Sequence, residues 1–352
     1  MTKNKIAFLV PAHNEEKVIS STLESLLKIT DKKHIYVVDD GSRDQTLEIA
    51  KLYTQNVLSL NPNQGKASAM NSLIKEFKLV KNYQYLMPMD ADTQVEVGIQ
   101  DAVLPIFEKD KNKKIACIVG KVVGKNKNWI TNFRIWEYEV AQTIHKAAQS
   151  KTNTIIVCPG CATIYRTEVF KKVQIPEGTL TEDMDLTFLI HRQNLGQIVY
   201  TSKFKVITQD PKTLLDFLKQ IDRWYTGFWQ CVLKHNIPWE GQKLDAEVAL
   251  LAAEGLFNGV LVIILLFLIP KAIQINSQVL LFPLFLDLFL FMIPTLLYTL
   301  VRHKTWKIYL YIFHFYFLRL LTSLIFLKTF FKVVFYFDLK MGWNKAQRYQ
   351  VN

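Results

Sequence analysis

The chain has 352 residues, enough for one large domain or two ordinary ones, and half of them are hydrophobic. The apolar excess is concentrated between Val248 and Phe337, so residues 1–243 read as a soluble-type domain and the remainder as membrane-associated. Two thirds of the formal charge of +12 lies after Val301, where Arg302, Lys304, Lys307, Arg319, Lys328, Lys332, Lys340, Lys345 and Arg348 stand against Asp338 alone. Basic residues flanking apolar segments suit anionic lipid, and no zinc-finger or ribonucleoprotein motif accompanies them, which argues against nucleic-acid binding.

In chain order, Ile6–Val10 reads as a buried strand, and Glu15–Ile29 has helical periodicity through Val18, Leu23, Leu26 and Leu27. Ile35–Val38 is the next strand, Thr46–Tyr53 the next helix, and Val57–Leu60, Ala67–Phe77 and Tyr85–Met89 continue the alternation. Such alternation predicts an α/β domain with a mostly parallel, Rossmann-like sheet, whose right-handed crossovers bring the strand ends to one edge. With no signal peptide before Ile6, this domain is expected to stay in the cytoplasm.

Acidic residues recur where apolar runs stop. Asp39 and Asp40 end the second strand before Gly41, where a carboxylate can accept hydrogen bonds from a nucleobase or ribose, although Asp-Gly is also an ordinary turn. Asp90 and Asp92 follow Tyr85–Met89, and hard oxygen ligands in that spacing suit Mg²⁺ or Mn²⁺ bridging two phosphates. Thr181-Glu182-Asp183, with Asp185, reads both as a helix start and as the place for a general base. Gln220, Arg223 and Trp224 share one helix patch; Arg223 can fork onto a pyrophosphate and Trp224 offers a flat face for a sugar ring. Cys158-Pro159-Gly160-Cys161 lacks a redox or zinc context and reads as two small buried residues in a tight turn.

Two later helices, Trp129–Gln149 and Pro211–His235, are amphipathic and rich in Trp and Tyr, which fits either a bilayer surface or an ordinary core. Three apolar segments follow at about 248–269, 279–301 and 307–327, the third either spanning or lying at the interface. Arg302, Lys304 and Lys307 place the link between the last two in the cytoplasm, whereas the 270–278 link carries only Lys271. Each segment contains an ionisable residue within it: Glu254, Asp287 and Arg319. Asp287 and Arg319 are equidistant from position 303, so an antiparallel pair sets them at one depth and predicts an ion pair.

In this order the motifs resemble those of family 2 (GT-A fold) glycosyltransferases, in the processive membrane branch of cellulose, chitin, hyaluronan and poly-N-acetylglucosamine synthases. The likeness runs from Ile6 to Lys234, and its most specific elements are Thr-Glu-Asp and Gln-x-x-Arg-Trp. It implies that Pro11, Ala12, Asn14, Glu15, Asp40 and Lys66 line the nucleotide pocket. Asp90 and Asp92 would contact metal and UDP-sugar, Asp183 would be the general base, and Glu182, Gln220, Arg223 and Trp224 would serve the pyrophosphate and acceptor. Cys158–Arg166 looks like the acceptor-side segment of chitin and hyaluronan synthases. The chain departs from the pattern at Ile221 and Asp222, where a basic residue is common.

The expected layout is a GT-A domain over 1–210, an interface helix over 211–243, a transmembrane region over 244–337 and a basic tail over 338–352. The resemblance implies a multi-pass enzyme of the cell membrane, inverting and dependent on a divalent metal. It would use a UDP-activated hexose or N-acetylhexosamine to build a β-linked polysaccharide, with a carbohydrate or lipid-linked acceptor, membrane lipids as surroundings, and room for accessory export or polymerising subunits. Single transfer to a polyprenyl phosphate or glycolipid is the alternative. A non-catalytic nucleotide-sugar-binding subunit is the third reading, and the intact set of acids argues against it.

Overall fold

The structure, a computed structural model, describes residues 4–125, 127–275, 282–303, 311–336 and 348–349. Eight strands form one sheet: β1 (Asn4–Ala12), β2 (Ile35–Asp40), β3 (Val57–Leu60), β4 (Tyr83–Pro88), β5 (Gln94–Val95), β6 (Ile115–Val123), β7 (Thr163–Arg166) and β8 (Gln197–Ile207), in the order β3-β2-β1-β4-β7-β6-β8-β5. The central strands carry continuous apolar runs because both faces are covered. Ile6, Phe8 and Val10 of β1 pack with Leu23, Leu26 and Phe107 on one face. Ala7 and Leu9 pack with Ala69 and Leu73 on the other.

β1 pairs in parallel with both β2 and β4. The chain thus winds outward from β1 through β2 to β3, then crosses back to β4 on the opposite side. That reversal opens a crevice at the carboxyl ends of β1 and β4, where open α/β sheets bind ligands. The parallel half is the part expected from the sequence. β7 runs antiparallel between β4 and β6, and β5 runs antiparallel to β8. These strands escape pattern reading: β7 has four residues, and β6 is interrupted by Gly120 and Lys121. Lys121 is tolerated inside because Glu139 accepts from its ammonium at 2.6 Å.

The two aromatic-rich helices are present. Asn128 caps the first, Trp129–Tyr138, which continues through a π turn, Glu139–Lys146, into Ala147–Thr152. The second runs Leu214–Lys234 and is capped by Thr213. Much of their apolar surface is covered by the chain's own C-terminal helices rather than left for a bilayer. Phe133, Trp136, Phe217 and Ile221 pack with Met292, Leu296, Phe315 and Leu318. Phe228 and Trp229 pack with Phe326.

Among the described residues one helix, Lys243–Lys271, is long and apolar enough to cross a membrane. The expected second and third segments appear as a helical run over 282–303, with a π turn at Leu288–Met292, and a helix over Ile312–Phe330. Neither is both long and apolar enough to pass as a span over its described residues. Positions 279–281 and 304–310, with Lys304 and Lys307, lie outside the described residues, as do Asp338, Lys340 and Lys345. Gly255 and Gly259 let the long helix approach closely: a methyl group at either would come within 2.5 Å of the Phe326 ring or 2.8 Å of Leu327.

The Asp287–Arg319 pair is present, with Arg319 Nη1 donating to Asp287 Oδ2 at 2.5 Å. Since both groups sit among apolar helices, neutralising either removes the opposite charge that the other faces. Asp287→Asn and Arg319→Gln are each expected to lower the folded yield in membranes, and exchanging the two charges should restore part of it. Equal loss in the exchanged variant would show that the pair is not what matters.

Candidate active site

The crevice at the carboxyl ends of β1, β2 and β4 is assembled from loops that lock one another. Pro11 and Ala12 are in β1, level with Val38 and Asp39 of β2. Asn14 stands at φ 53°, a left-handed conformation that asparagine tolerates. Its amide N–H donates to Ser42 Oγ at 2.9 Å and its side-chain oxygen accepts from Arg43 N at 2.8 Å, tying the end of β1 to the turn after β2.

Asp40 is engaged in holding the loop that carries Lys66. Its carboxylate accepts from Gln64 N at 2.7 Å and Gly65 N at 2.9 Å. Strand alternation turns its neighbour Asp39 to the other face. Asp39 is buried, and its Oδ1 has no hydrogen-bond partner among the described residues. A buried carboxylate oxygen without a donor is the group that a nucleobase N–H would satisfy. The resemblance selects Asp40; the geometry makes Asp39 the acid with capacity to spare.

Lys66 begins the helix Lys66–Glu76. Its ammonium reaches Asp90 Oδ1 at 2.7 Å and Glu182 Oε1 at 2.6 Å, so the end of β4 and the start of the Glu182–Arg192 helix meet on one cation. Burial opposes that charge, but Asp90, Glu182 and Asp183 together hold the lysine well above its ordinary value. Burial likewise pushes Asp90 up, yet Lys66, aided by Arg348 and Arg223, brings its carboxyl below the usual range. Asp92 behaves oppositely: burial lifts it to about 6, with Asp90 and Glu15 adding to the rise against the pull of Arg348.

Asp183 is next to Glu182 in the first helical turn. Gly160 N donates to its Oδ2 at 3.1 Å and Met184 N to its Oδ1 at 2.8 Å, which fixes the carboxylate. Its pKa is raised, first by burial and then by Glu182, with Lys66 and the two amides opposing. The Cys158–Cys161 turn therefore does more than pack small side chains, because its Gly160 amide orients Asp183. Nothing in a C-x-x-C pattern signals that contact. All four cysteines are free and buried. Asp185, by contrast, is spent on structure, accepting from Thr179, Lys234 and His235.

Close packing joins this turn to the Gln-x-x-Arg-Trp helix. A methyl group on Gly227 would sit 2.4 Å from Thr181 Oγ1, so only glycine lets the Thr-Glu-Asp segment lie so near. Arg223 donates to Leu180 O at 3.2 Å. Gln220 Oε1 is buried with no partner among the described residues. The guanidinium of Arg134 lies over the Trp224 ring at 4.6 Å, so one face of that ring is already covered.

One member was missed entirely. Arg348 donates to Glu15 through Nε at 2.9 Å and Nη2 at 3.1 Å, and its Nη1 pairs with Asp92 Oδ2. A lone arginine in a basic tail carries no sequence signal of this. The structure thus brings together Glu15, Asp90, Asp92, Glu182 and Asp183 with Lys66, Arg223 and Arg348. Five carboxylates against three cations leave an excess of negative oxygen, which favours further cations. No group of three metal-ligating side chains occurs among the described residues. Two carboxylates completed by substrate phosphates is nonetheless how Mg²⁺-type sites are commonly built, so Asp90 and Asp92 fit such an ion.

Residues 7–174 match the family described as glycosyl transferase family 2. A poly-beta-1,6-N-acetyl-D-glucosamine synthase of Staphylococcus epidermidis is 29 % identical over 241 residues, covering 66 % of this chain and 57 % of the relative. One from Staphylococcus aureus (strain COL) is 29 % identical over 238 residues, covering 65 % and 56 %. The chain spans little more than half the length of these curated relatives. Among solved structures, a mannosyltransferase from Pyrobaculum calidifontis, in complex with GDP-Man and Mn²⁺, superposes with a TM-score of 0.52 at 14 % identity, covering 66 % of this chain and 64 % of the other. That likeness is one of fold. With its sheet order and strand-end acids, the domain has the GT-A fold, and residues 7–174 within it are similar to glycosyl transferase family 2.

Proposed function

We propose that the protein is an inverting glycosyltransferase that transfers N-acetylglucosamine from UDP to a growing β-linked polysaccharide at a membrane. The observation that carries this reading is the Lys66 ammonium shared by Asp90 and Glu182, which sets a strand-end metal acid beside a candidate base, Asp183. The relatives named poly-beta-1,6-N-acetyl-D-glucosamine synthase support the choice of sugar and product.

In this mechanism the Asp183 carboxylate takes the proton of the acceptor hydroxyl, whose oxygen bonds to the anomeric carbon from the face opposite UDP. The bond from that carbon to the diphosphate oxygen breaks, UDP departs and the configuration inverts. Arg223 and Lys66 supply positive charge for the departing diphosphate. Asp90 and Asp92 would hold a divalent ion, which when bound neutralises charge on the two phosphates. Asp39 and Asn14 belong to the wall where uridine is placed, and Gln220 offers its free amide oxygen to the acceptor. The catalytic domain is placed in the cytoplasm, and the Lys243–Lys271 helix together with the two later apolar helices forms a multi-pass membrane region.

Radiolabelled UDP-sugars, offered one at a time to purified membranes, test this. UDP-N-acetylglucosamine is expected to give a ladder of product lengths. A single lipid adduct would replace polymerisation by one-step transfer, and no incorporation from any UDP-sugar would remove the enzyme assignment.

A further inference from the structure

The tail residues Arg348 and Tyr349 are docked by more than charge. Gln209 exchanges two hydrogen bonds with the backbone of Tyr349, its Nε2 donating to the carbonyl at 2.6 Å and its Oε1 accepting from the amide at 3.1 Å. Lys212 Nζ lies 4.0 Å from the centre of the Tyr349 ring. This anchorage aims the guanidinium at Glu15 and Asp92, both buried, with a fork on the first and one nitrogen on the second.

Two buried carboxylates facing one another need a cation, since neither has enough water to spread its charge. Arg348 supplies one from a position more than 250 residues along the chain from Asp92. From this geometry we infer that Arg348 is the resident counter-ion of Asp92 and competes with the divalent metal for it, so that the C-terminal tail sets how tightly the site takes metal. The inference rests on the reading of Asp92 as a metal ligand. A guanidinium on Oδ2 of Asp92 and an ion on the same carboxylate repel each other, and each draws on the charge that holds the other. Metal entry therefore loosens Arg348 from Asp92 and leaves the tail held only by the fork on Glu15 and the Gln209 bonds, so it opens more often.

The test is Mn²⁺ binding to the full chain in detergent, with and without UDP, followed by electron paramagnetic resonance of free Mn²⁺. Arg348→Ala is expected to tighten binding by about 10-fold or more, the scale of one charge-assisted hydrogen bond, and Arg348→Lys to fall between. A second readout uses trypsin, which cuts after arginine. Mn²⁺ should accelerate cleavage at the Arg348–Tyr349 bond, seen by mass spectrometry as loss of the last four residues, and Asp92→Asn should accelerate it with no metal added. Unchanged or weaker Mn²⁺ binding in Arg348→Ala, or cleavage insensitive to Mn²⁺, overturns the competition while leaving the metal reading intact. If neither wild type nor Arg348→Ala binds Mn²⁺, the metal reading of Asp92 fails, and the competition with it.

Discussion

Asp183→Asn is expected to lower turnover by about 10²- to 10⁴-fold with donor affinity nearly unchanged, the range for loss of a positioned general base. The asparagine oxygen can still accept from Gly160 N or Met184 N, so the helix start and the Lys66 bridge should survive. What disappears is the group that takes the proton. Release of UDP and growth of product, followed in the same membranes, check this, and UDP release at the wild-type rate would end the assignment. The pH profile adds a sign. Burial and the neighbouring Glu182 raise the carboxyl of Asp183, so its basic form is lost at a higher pH than that of an ordinary aspartate. The acidic limb of the rate should therefore lie above the range of an ordinary aspartate. Glu182→Gln removes the raising charge and should move that limb towards lower pH.

The second large effect is on folding. Arg192 forks onto Asp245 at 3.0 and 2.5 Å and also donates to the His235 carbonyl at 2.6 Å. These bonds tie the Glu182–Arg192 helix to the foot of the long apolar helix. Both partners are largely buried, 12 % and 3 % exposed, so Asp245→Ala leaves a guanidinium with little water and is expected to cost about 3–5 kcal/mol. Asp245→Asn keeps an acceptor and should cost less. Thermal unfolding in detergent would measure both. The Lys5–Glu108 pair offers the contrast: it spans 3.3 Å with both side chains more than half exposed, so water screens it and Lys5→Ala should be nearly neutral. A result in which Asp245→Ala is as mild as Lys5→Ala would mean the fork does not anchor the helix.

The periodicity of Ile6–Val10, Ile35–Val38 and Tyr85–Met89 determined the parallel half of the sheet, because strands buried on both faces must be continuously apolar, and the partly buried Val57–Leu60 joins them at the edge. The same runs located the acids, since a carboxylate at the end of such a strand has only the crevice edge to occupy. The Asp287–Arg319 pair followed from spacing alone, as charges within apolar helices have few partners to choose from.

The remainder required chain segments far apart in sequence to meet. Whether Asp39 or Asp40 has oxygen to spare depends on which one the Gln64–Gly65 amides reach, and the two residues are indistinguishable as letters. The use of Gly160 to orient Asp183, of Arg134 to cover Trp224, and of Arg348 to neutralise Glu15 and Asp92 depends on the folded surroundings. Local pattern follows from backbone geometry and solvent, which act over a few residues. The partner of a buried charge is settled only when tertiary packing removes the water that would otherwise have satisfied it.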